Sequence, residues 1–593
     1  MTRWLKTCSL AGCTLFGLLA SPLAAHAQGS ADGPYRNHAA LLSAVDGLRR
    51  AHPRLIEVST LATSPGGRAI PAIRLGAGPT VDSRPALLIV ANAHGPHLIG
   101  SAIALGALEQ LAAGYGRDTA ITALLDRTTL YVVPRLNPDA AEAMFGTPRW
   151  ERRTNDAPDD ADHDGATDED GPLDLNGDGF ITVMRIADPA GEWRPDSLEP
   201  RLMRRADAAK GEIGGWSVRT ESRDQDGDGV ANEDGPGGTD INLNFAHDYP
   251  WFRAGAGLHP ISSAEARGLA EFVVAHPNIA AAYVLGPQDN LMTPWKHRAG
   301  SGGGAPEGTS QGGPYTSILS ADEAWFGEVS SRFKKTTGLT GTPPAGALGG
   351  DVLTWLYYHM GRFAFGSRGW WIPDPTPDSA AARGAGAARP AGGAGAGGGG
   401  GGAGGAGAPS PDPMIQERKT VAWLDANDPT AVLPKTAVQH PDFPGQLVEV
   451  GGMRPGATLN PPAPFADSAV TRHTRFITEL AGMLPQVAWR DAKVESLGRN
   501  AWRITAQVAN TGFLPTRAAI GERARWPRQI KVSLTGNGLE IAGGRAIQLL
   551  DTIAGSGRSE ELSWVVTGPS GTTVTLRAES PVAGTAVTTL TLR

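Results

Sequence analysis

Ala86-Leu-Leu-Ile-Val-Ala-Asn-Ala-His-Gly-Pro-His97 is the stretch on which the reading of this chain turns. Six apolar residues in a row, Ala86 to Ala91, suit a strand buried on both faces. Ile99 to Ala113 then has the length and pattern of an apolar helix, and Thr129-Leu-Tyr-Val-Val-Pro134 is a second buried strand. Strand, helix and strand in this order make a βαβ unit in an open α/β sheet. Ligands in such sheets bind beyond the C-terminal ends of the strands. His94 and His97 fall there after the first strand, and Asn137 and Pro138 after the second. Upstream, Leu41 to Leu48 reads as a short amphipathic helix, and Ile70 to Leu75 alternates like a strand.

The chain starts Met-Thr-Arg-Trp-Leu-Lys, continues with an apolar run from Leu10 to Ala25, and reaches Ala25-His-Ala27. A basic start, an apolar middle and an A-x-A site predict a signal peptide over residues 1–27, hence export to the periplasm or beyond the cell. No later segment is long and apolar enough to span a bilayer. The two cysteines, Cys8 and Cys13, lie inside that leader, so the remainder relies on core burial rather than disulfides. Net charge is −7, and loss of Arg3 and Lys6 makes it about −9, which argues against a nucleic-acid partner.

Residues 380–413 are mostly Gly, Ala and Pro and predict a flexible surface loop. Over 489–593 the pattern changes to short alternating runs around Trp502, Val532, Trp564 and Leu576, separated by turn signals such as Asn537-Gly538. About seven short strands in about a hundred residues predict an immunoglobulin-like sandwich.

Between 156 and 235 lie three acidic runs. Asp160, Asp162, Asp164 and Asp168 carry the first, Asp224, Asp226, Asp228 and Asn232 the second, and Asp174, Asn176 and Asp178 a shorter one between them. Each alternates carboxylates or amides and puts a Gly at the sixth position, the pattern that wraps a calcium ion in hard oxygen ligands. The bidentate Glu of an EF-hand is missing at the twelfth position, where Gly171, Gly235 and Arg185 stand. Structural calcium loops are the expectation, and a solvated acidic face is the alternative.

From about Tyr35 to Pro485 the chain resembles zinc carboxypeptidases of the carboxypeptidase A-like family. Asn92-Ala-His94-Gly-Pro-His97 resembles the first metal motif, His-x-x-Glu. Pro134-Arg-Leu-Asn137-Pro138-Asp139-Ala140 resembles the Asn-Pro-Asp-Gly segment, and Asp240-Ile-Asn242-Leu243-Asn244-Phe245 the Asp-x-Asn-Arg-Asn-Phe segment. Gly286 to Leu291 aligns with the segment of the last metal histidine. Phe365-Gly-Ser-Arg368-Gly-Trp370 aligns with that of the catalytic glutamate, and Val448-Glu-Val-Gly-Gly452 with the C-terminal part. The resemblance implies an α/β domain with a mixed open sheet over 35–488, a zinc cofactor and release of C-terminal residues.

The chain departs from the family where the chemistry sits. His94 is kept, His97 stands for the metal-binding glutamate, Gly286 for the last histidine, Arg368 for the general base and Leu243 for the arginine that grips the substrate carboxylate. An arginine has no acceptor for a proton, and without zinc a bound water keeps its high pKa. Asn242, Arg149, Arg152 and Arg368, with Arg153 next in sequence, are the candidate substrate-binding residues, and His94 and His97 the candidate zinc ligands. Three readings stand: a non-hydrolytic binder of peptide C-termini or cell-wall peptides; a working carboxypeptidase recruiting Asp289 or His247 as a ligand; and a calcium-stabilised adhesion protein. Arg368 also has a structural alternative, pairing with Asp289 or Asp351.

Overall fold

The computed structural model describes residues 34–160, 165–232, 235, 237–298, 315–341, 349–373, 412, 414–524 and 526–593. The leader, Asp162, Asp164 and all of the Gly-rich stretch except Asp412 lie outside them. The strands up to residue 453 are β1 (Ile56–Thr63), β2 (Ala69–Leu75), β3 (Ala86–Ala91), β4 (Thr129–Val133), β5 (Val183–Ala187), β6 (Trp193–Pro195), β7 (Met203–Arg205), β8 (Trp216–Thr220), β9 (Ile279–Leu285), β10 (Phe363–Ser367), β11 (Val432–Val438) and β12 (Val448–Met453).

Six of them form the main sheet in the order β1-β2-β4-β3-β9-β10. β3 runs parallel to β4 and β9, and β9 parallel to β10, while β1 and β2 add an antiparallel edge. Every residue of β3, β9 and β10 is buried, as the unbroken apolar run at Ala86–Ala91 requires of a strand covered on both faces. The helices Leu98–Gly114 and Ala463–Gly482 pack together over this sheet. Register decides where the chemistry goes: Ala91 pairs with Leu285, and Leu285 with Ser367. The loops that follow these three residues therefore leave the sheet at one place.

The stretch 156–235, read from sequence as insert loops, is more than loops. It contributes β5 to β8 to a second six-stranded sheet in the order β11-β12-β5-β8-β6-β7. Val450 of β12 lies opposite Met184 of β5, and Met184, Ile186, Val448 and Val450 make a small buried core. These strands are three to seven residues long, so period-2 alternation had little length in which to show beside the acidic runs.

Beyond Val487, eight strands fold into two four-stranded sheets around one core that includes Trp564 and Leu576, the expected sandwich with one strand more than the sequence suggested. Strand Val487–Gly498 begins two residues before the expected boundary. The sandwich is not a separate bead. Leu514, Ala518, Ile520 and Val582 are buried in the main core. The buried Asp322 carboxylate accepts hydrogen bonds from the Ala519 and Ile520 amides, at 2.8 and 3.2 Å, and from the Tyr357 hydroxyl at 2.8 Å.

Candidate functional site

The turn after β3 is built to hold two imidazoles. Asn92 takes a left-handed backbone, φ 60°, and its side-chain amide donates to the carbonyls of Gly95 (2.7 Å), His94 and His97 (both 3.2 Å). Gly95 has no alternative: a Cβ there would lie 2.1 Å from that of Ala140. The Asn137-Pro-Asp-Ala segment is thereby pressed onto the turn. Its Asp139 is buried and accepts from Ser64, Gly66, Arg68 and the amide of Asp156.

His97 reaches across to β10, with Nε2 2.8 Å from the main-chain carbonyl of Arg368. A carbonyl only accepts, so Nε2 carries the hydrogen. Burial pulls the ring pKa down to about 4, so the imidazole is neutral and Nδ1 is bare. That nitrogen is enclosed with no donor, and a Cβ added at Gly100 would stand 3.1 Å from it. His94 is buried as well; burial, then the charges of His97, Arg153 and Arg368, hold its pKa down to about 3. Gly286 follows β9 and supplies no side chain. The Arg368 guanidinium donates from Nε to the Pro287 carbonyl at 3.1 Å. Its charge acts on Asp289, whose Oδ1 accepts from the amides of Leu291 and Met292 while Oδ2 is buried without a donor. Of the two internal acids considered, Asp289 faces Arg368, whereas Asp351 caps the helix Val352–Tyr358 through the Thr354 amide.

A zinc ion takes four ligands, three of them from protein where water is to react. Among the described residues, the one group of three or more His, Cys, Asp or Glu side chains whose donor atoms approach within 4.8 Å of one another is Asp224, Asp226 and Asp228. His94 and His97 gain no third donor. His247 stacks on Tyr358 at 4.0 Å between ring centroids and edges His359, in a different cluster. The donor set beside His94 does not fit zinc.

A cavity of about 640 Å³ opens beside the second sheet, between its β5, β8 and β12 and the segments around Thr154, Asp240 and Gly255. Leu243, Ile181 and Met453 give it an apolar wall; Arg152, Arg153 and Arg253 line it. Asn242 is buried next to Leu243. The arginines differ in what they are free to do. Arg152 is committed to the Asp156 carboxylate and to the carbonyls of Asn155 and Gly237. Arg149 lines another cavity, with Tyr35 and Arg454. Arg153, which sequence reasoning set behind its neighbours, is the one of this arginine cluster whose charge reaches His94, alongside Arg368. Arg253 and the buried Asp240 were missed as site residues; the one signal available was their place on either side of the Asn-Leu-Asn-Phe segment.

The runs at Asp174 and Asp224 fold alike, and among the described residues of the first run Gly165 shares their backbone. Gly165, Gly179 and Gly229, at the sixth position of each, all take left-handed φ of 98°, 87° and 97°. Asp174 accepts from the amides of Gly177 and Gly179, and Asp224 correspondingly from those of Gly227 and Gly229. Asp170 ties the first run to the second by accepting from the amides of Gln225 and Asn232. Asp160 Oδ1 and Asn232 Oδ1 are acceptor oxygens shut away from solvent with no donor.

Comparison with known proteins places these features in a lineage. The zinc carboxypeptidase family profile matches residues 41–361, and a domain of unknown function (DUF8731) matches residues 486–591. Mouse carboxypeptidase D is 31% identical over 110 residues, 18% of this chain and 8% of that protein. A protein named inactive metallocarboxypeptidase ECM14, from the fungus Arthroderma gypseum, is 32% identical over 108 residues, 17% of this chain and 18% of that protein. The chain thus aligns with only a small part of the length of either. Among solved structures, thrombin activatable fibrinolysis inhibitor overlays with a TM-score of 0.35 at 15% identity, covering 56% of this chain and 65% of that one.

Proposed function

The chain belongs to the zinc carboxypeptidase family, and from that premise we propose that it is an exported member that binds peptide C-termini or cell-wall peptides in the family cleft without hydrolysing them. Zinc is the family's cofactor. The observation that carries the reading is the contact between His97 and the Arg368 carbonyl. It commits one nitrogen of the second imidazole, leaves the other enclosed, and sets a guanidinium where the family keeps its proton acceptor. With Gly286 offering no side chain, His94 stands alone as a donor. A lone imidazole does not bring a water's pKa near neutrality, and the arginine at the family's base position has no acceptor for the proton. The name of the fungal relative, an inactive metallocarboxypeptidase, agrees with this reading.

The acidic runs are calcium loops in this proposal. The shared left-handed glycines and the donorless oxygens of Asp160 and Asn232 support it, as does the gathering of Asp224, Asp226 and Asp228, which repel one another unless a cation lies between them. Calcium here is structural: the loops border the cleft through Asn232 and Asp159 and stiffen its rim.

Elemental mass spectrometry on protein purified without chelator tests both parts, together with an assay for residues released from peptide C-termini. Calcium at two or three per chain, no zinc and no release are expected. About one zinc per chain with release of C-terminal residues would overturn the non-hydrolytic reading.

A further inference from the structure

The lost carboxylate grip at Leu243 leaves open how a peptide C-terminus is held, and the cavity beside it offers an answer. Three segments converge on its floor. Thr154 bridges Asp240 in a short antiparallel contact, and the Asp240 amide donates to the Gly255 carbonyl at 2.7 Å. Arg153 and Arg253, one residue before Thr154 and two before Gly255, thus flank Asp240 and both line the cavity. Neither guanidinium enters an ion pair among the described residues. Asp240 itself is deeply buried; burial raises its carboxyl to about 6, against the pull of both arginines, and it accepts from the Asn242 amide rather than from either guanidinium.

The segment that carries Arg253 has a second unusual property. Trp251 is 60% exposed and Phe252 fully so, with their rings 6.5 Å apart, and they immediately precede the cavity-lining Arg253 in sequence. Phe252 is held in a left-handed backbone, φ 63°, a conformation costly for a bulky side chain and typical of sites where geometry is imposed for a purpose. Two arginines with no ion pair among the described residues and only one shared carboxylate, Asp240, beside an apolar wall and a pair of exposed aromatic rings, are the complement of one kind of ligand.

We propose that Arg253, with Arg153, replaces the lost family arginine and holds the terminal carboxylate of a bound peptide, whose preceding apolar side chain lies on Trp251 and Phe252. The Leu243 wall receives the terminal side chain, so peptides ending in an apolar residue are preferred. This rests on the reading of the cleft as a peptide-binding site. Arg368, already donating to Pro287 and facing Asp289, is left the lesser part.

Isothermal titration with N-acetyl-Ala-Phe-Leu as the free acid, and with its C-terminal amide, tests this. The acid is expected to bind at least tenfold more tightly than the amide. Arg253→Ala should weaken the acid at least tenfold while leaving the amide within twofold, and Arg253→Lys should lose less. Both side chains are exposed, and circular dichroism checks that each variant is folded. Equal binding of acid and amide, or an Arg253→Ala variant within twofold of the parent, overturns the proposal. Loss of binding with Arg368→Ala but not with Arg253→Ala overturns it as well, while leaving a peptide-binding cleft in place. No binding of either peptide at millimolar concentration overturns both, and zinc content judges the non-hydrolytic reading separately.

Discussion

His97 Nε2 lies 2.8 Å from the carbonyl of Arg368, so the two substituted positions of the family site hold each other. The turn after β3 and the end of β10 are joined where the family separates metal from base.

Gly286 has room for a side chain: a Cβ there would meet only Gln288 Oε1, at 3.6 Å. The double variant His97→Glu/Gly286→His frees the Arg368 carbonyl and supplies three family-type donors with His94. It should bind about one zinc per chain by elemental analysis, whereas the parent binds none. A parent that binds as much zinc as the variant would refute the idea that these substitutions removed the site.

Calcium should raise the melting temperature by a few degrees, and excess chelator should abolish the rise. At a hundredfold excess over the dissociation constant, one site stabilises by about 2.7 kcal/mol. Asp224→Asn removes the carboxylate that organises its loop, and scanning calorimetry should show most of the calcium response gone. An unchanged response would assign the stabilisation to the other runs.

Buried neutral histidines make the fold acid-sensitive. His473 accepts from the Tyr283 hydroxyl and donates to the Gly369 carbonyl, and burial lowers its pKa to about 4; burial, then the charge of His359, does the same for His247. Both pKa values are depressed from 6.5, so the unfolded chain takes up protons first as pH falls. The stability they contribute is complete above pH 6.5 and lost progressively down to about pH 4, on the order of 3 kcal/mol each. Urea denaturation at pH 7 and pH 5 should show the loss, and His473→Gln should reduce the difference. An identical difference in that variant would remove His473 from the account.

Asp322→Ala strips one carboxylate from three donors, the Tyr357 hydroxyl and the amides of Ala519 and Ile520. Leaving them buried and unpaired should cost about 2–4 kcal/mol. Urea denaturation measures it, and a loss below about 1 kcal/mol would mean that water replaces the carboxylate.

What the sequence disclosed depended on length and isolation. Ala86–Ala91 was legible as a buried strand because six apolar residues in a row have few other uses, and the two histidines after it followed from the topology. Arg152 and Arg153 were not separable, since adjacent arginines look the same until Asp156 claims one of them. Asp289 was weighed against Asp351 as the partner of Arg368, but only the fold showed Asp351 turned inward as a helix cap. The second sheet was hidden because β5 and β12 are 264 residues apart at Arg185 and Glu449, and their pairing is a long-range event that no local pattern announces. Trp251 and Phe252 were passed over because lone exposed aromatics carry no sequence signal of their own.

The burial of Leu514, Ala518, Ile520 and Val582 in the main core has a bearing on how the two regions can be handled and inherited. A cut just before residue 486, where the second profile begins, would strip a patch of apolar side chains from each side. Neither fragment would behave as an independent tool in the laboratory, and a gene rearrangement that moved the sandwich alone would deliver a sticky passenger. The pair is therefore expected to melt in one step, to travel together through evolution, and to resist proteases at the junction that a string of loosely tethered modules would offer them.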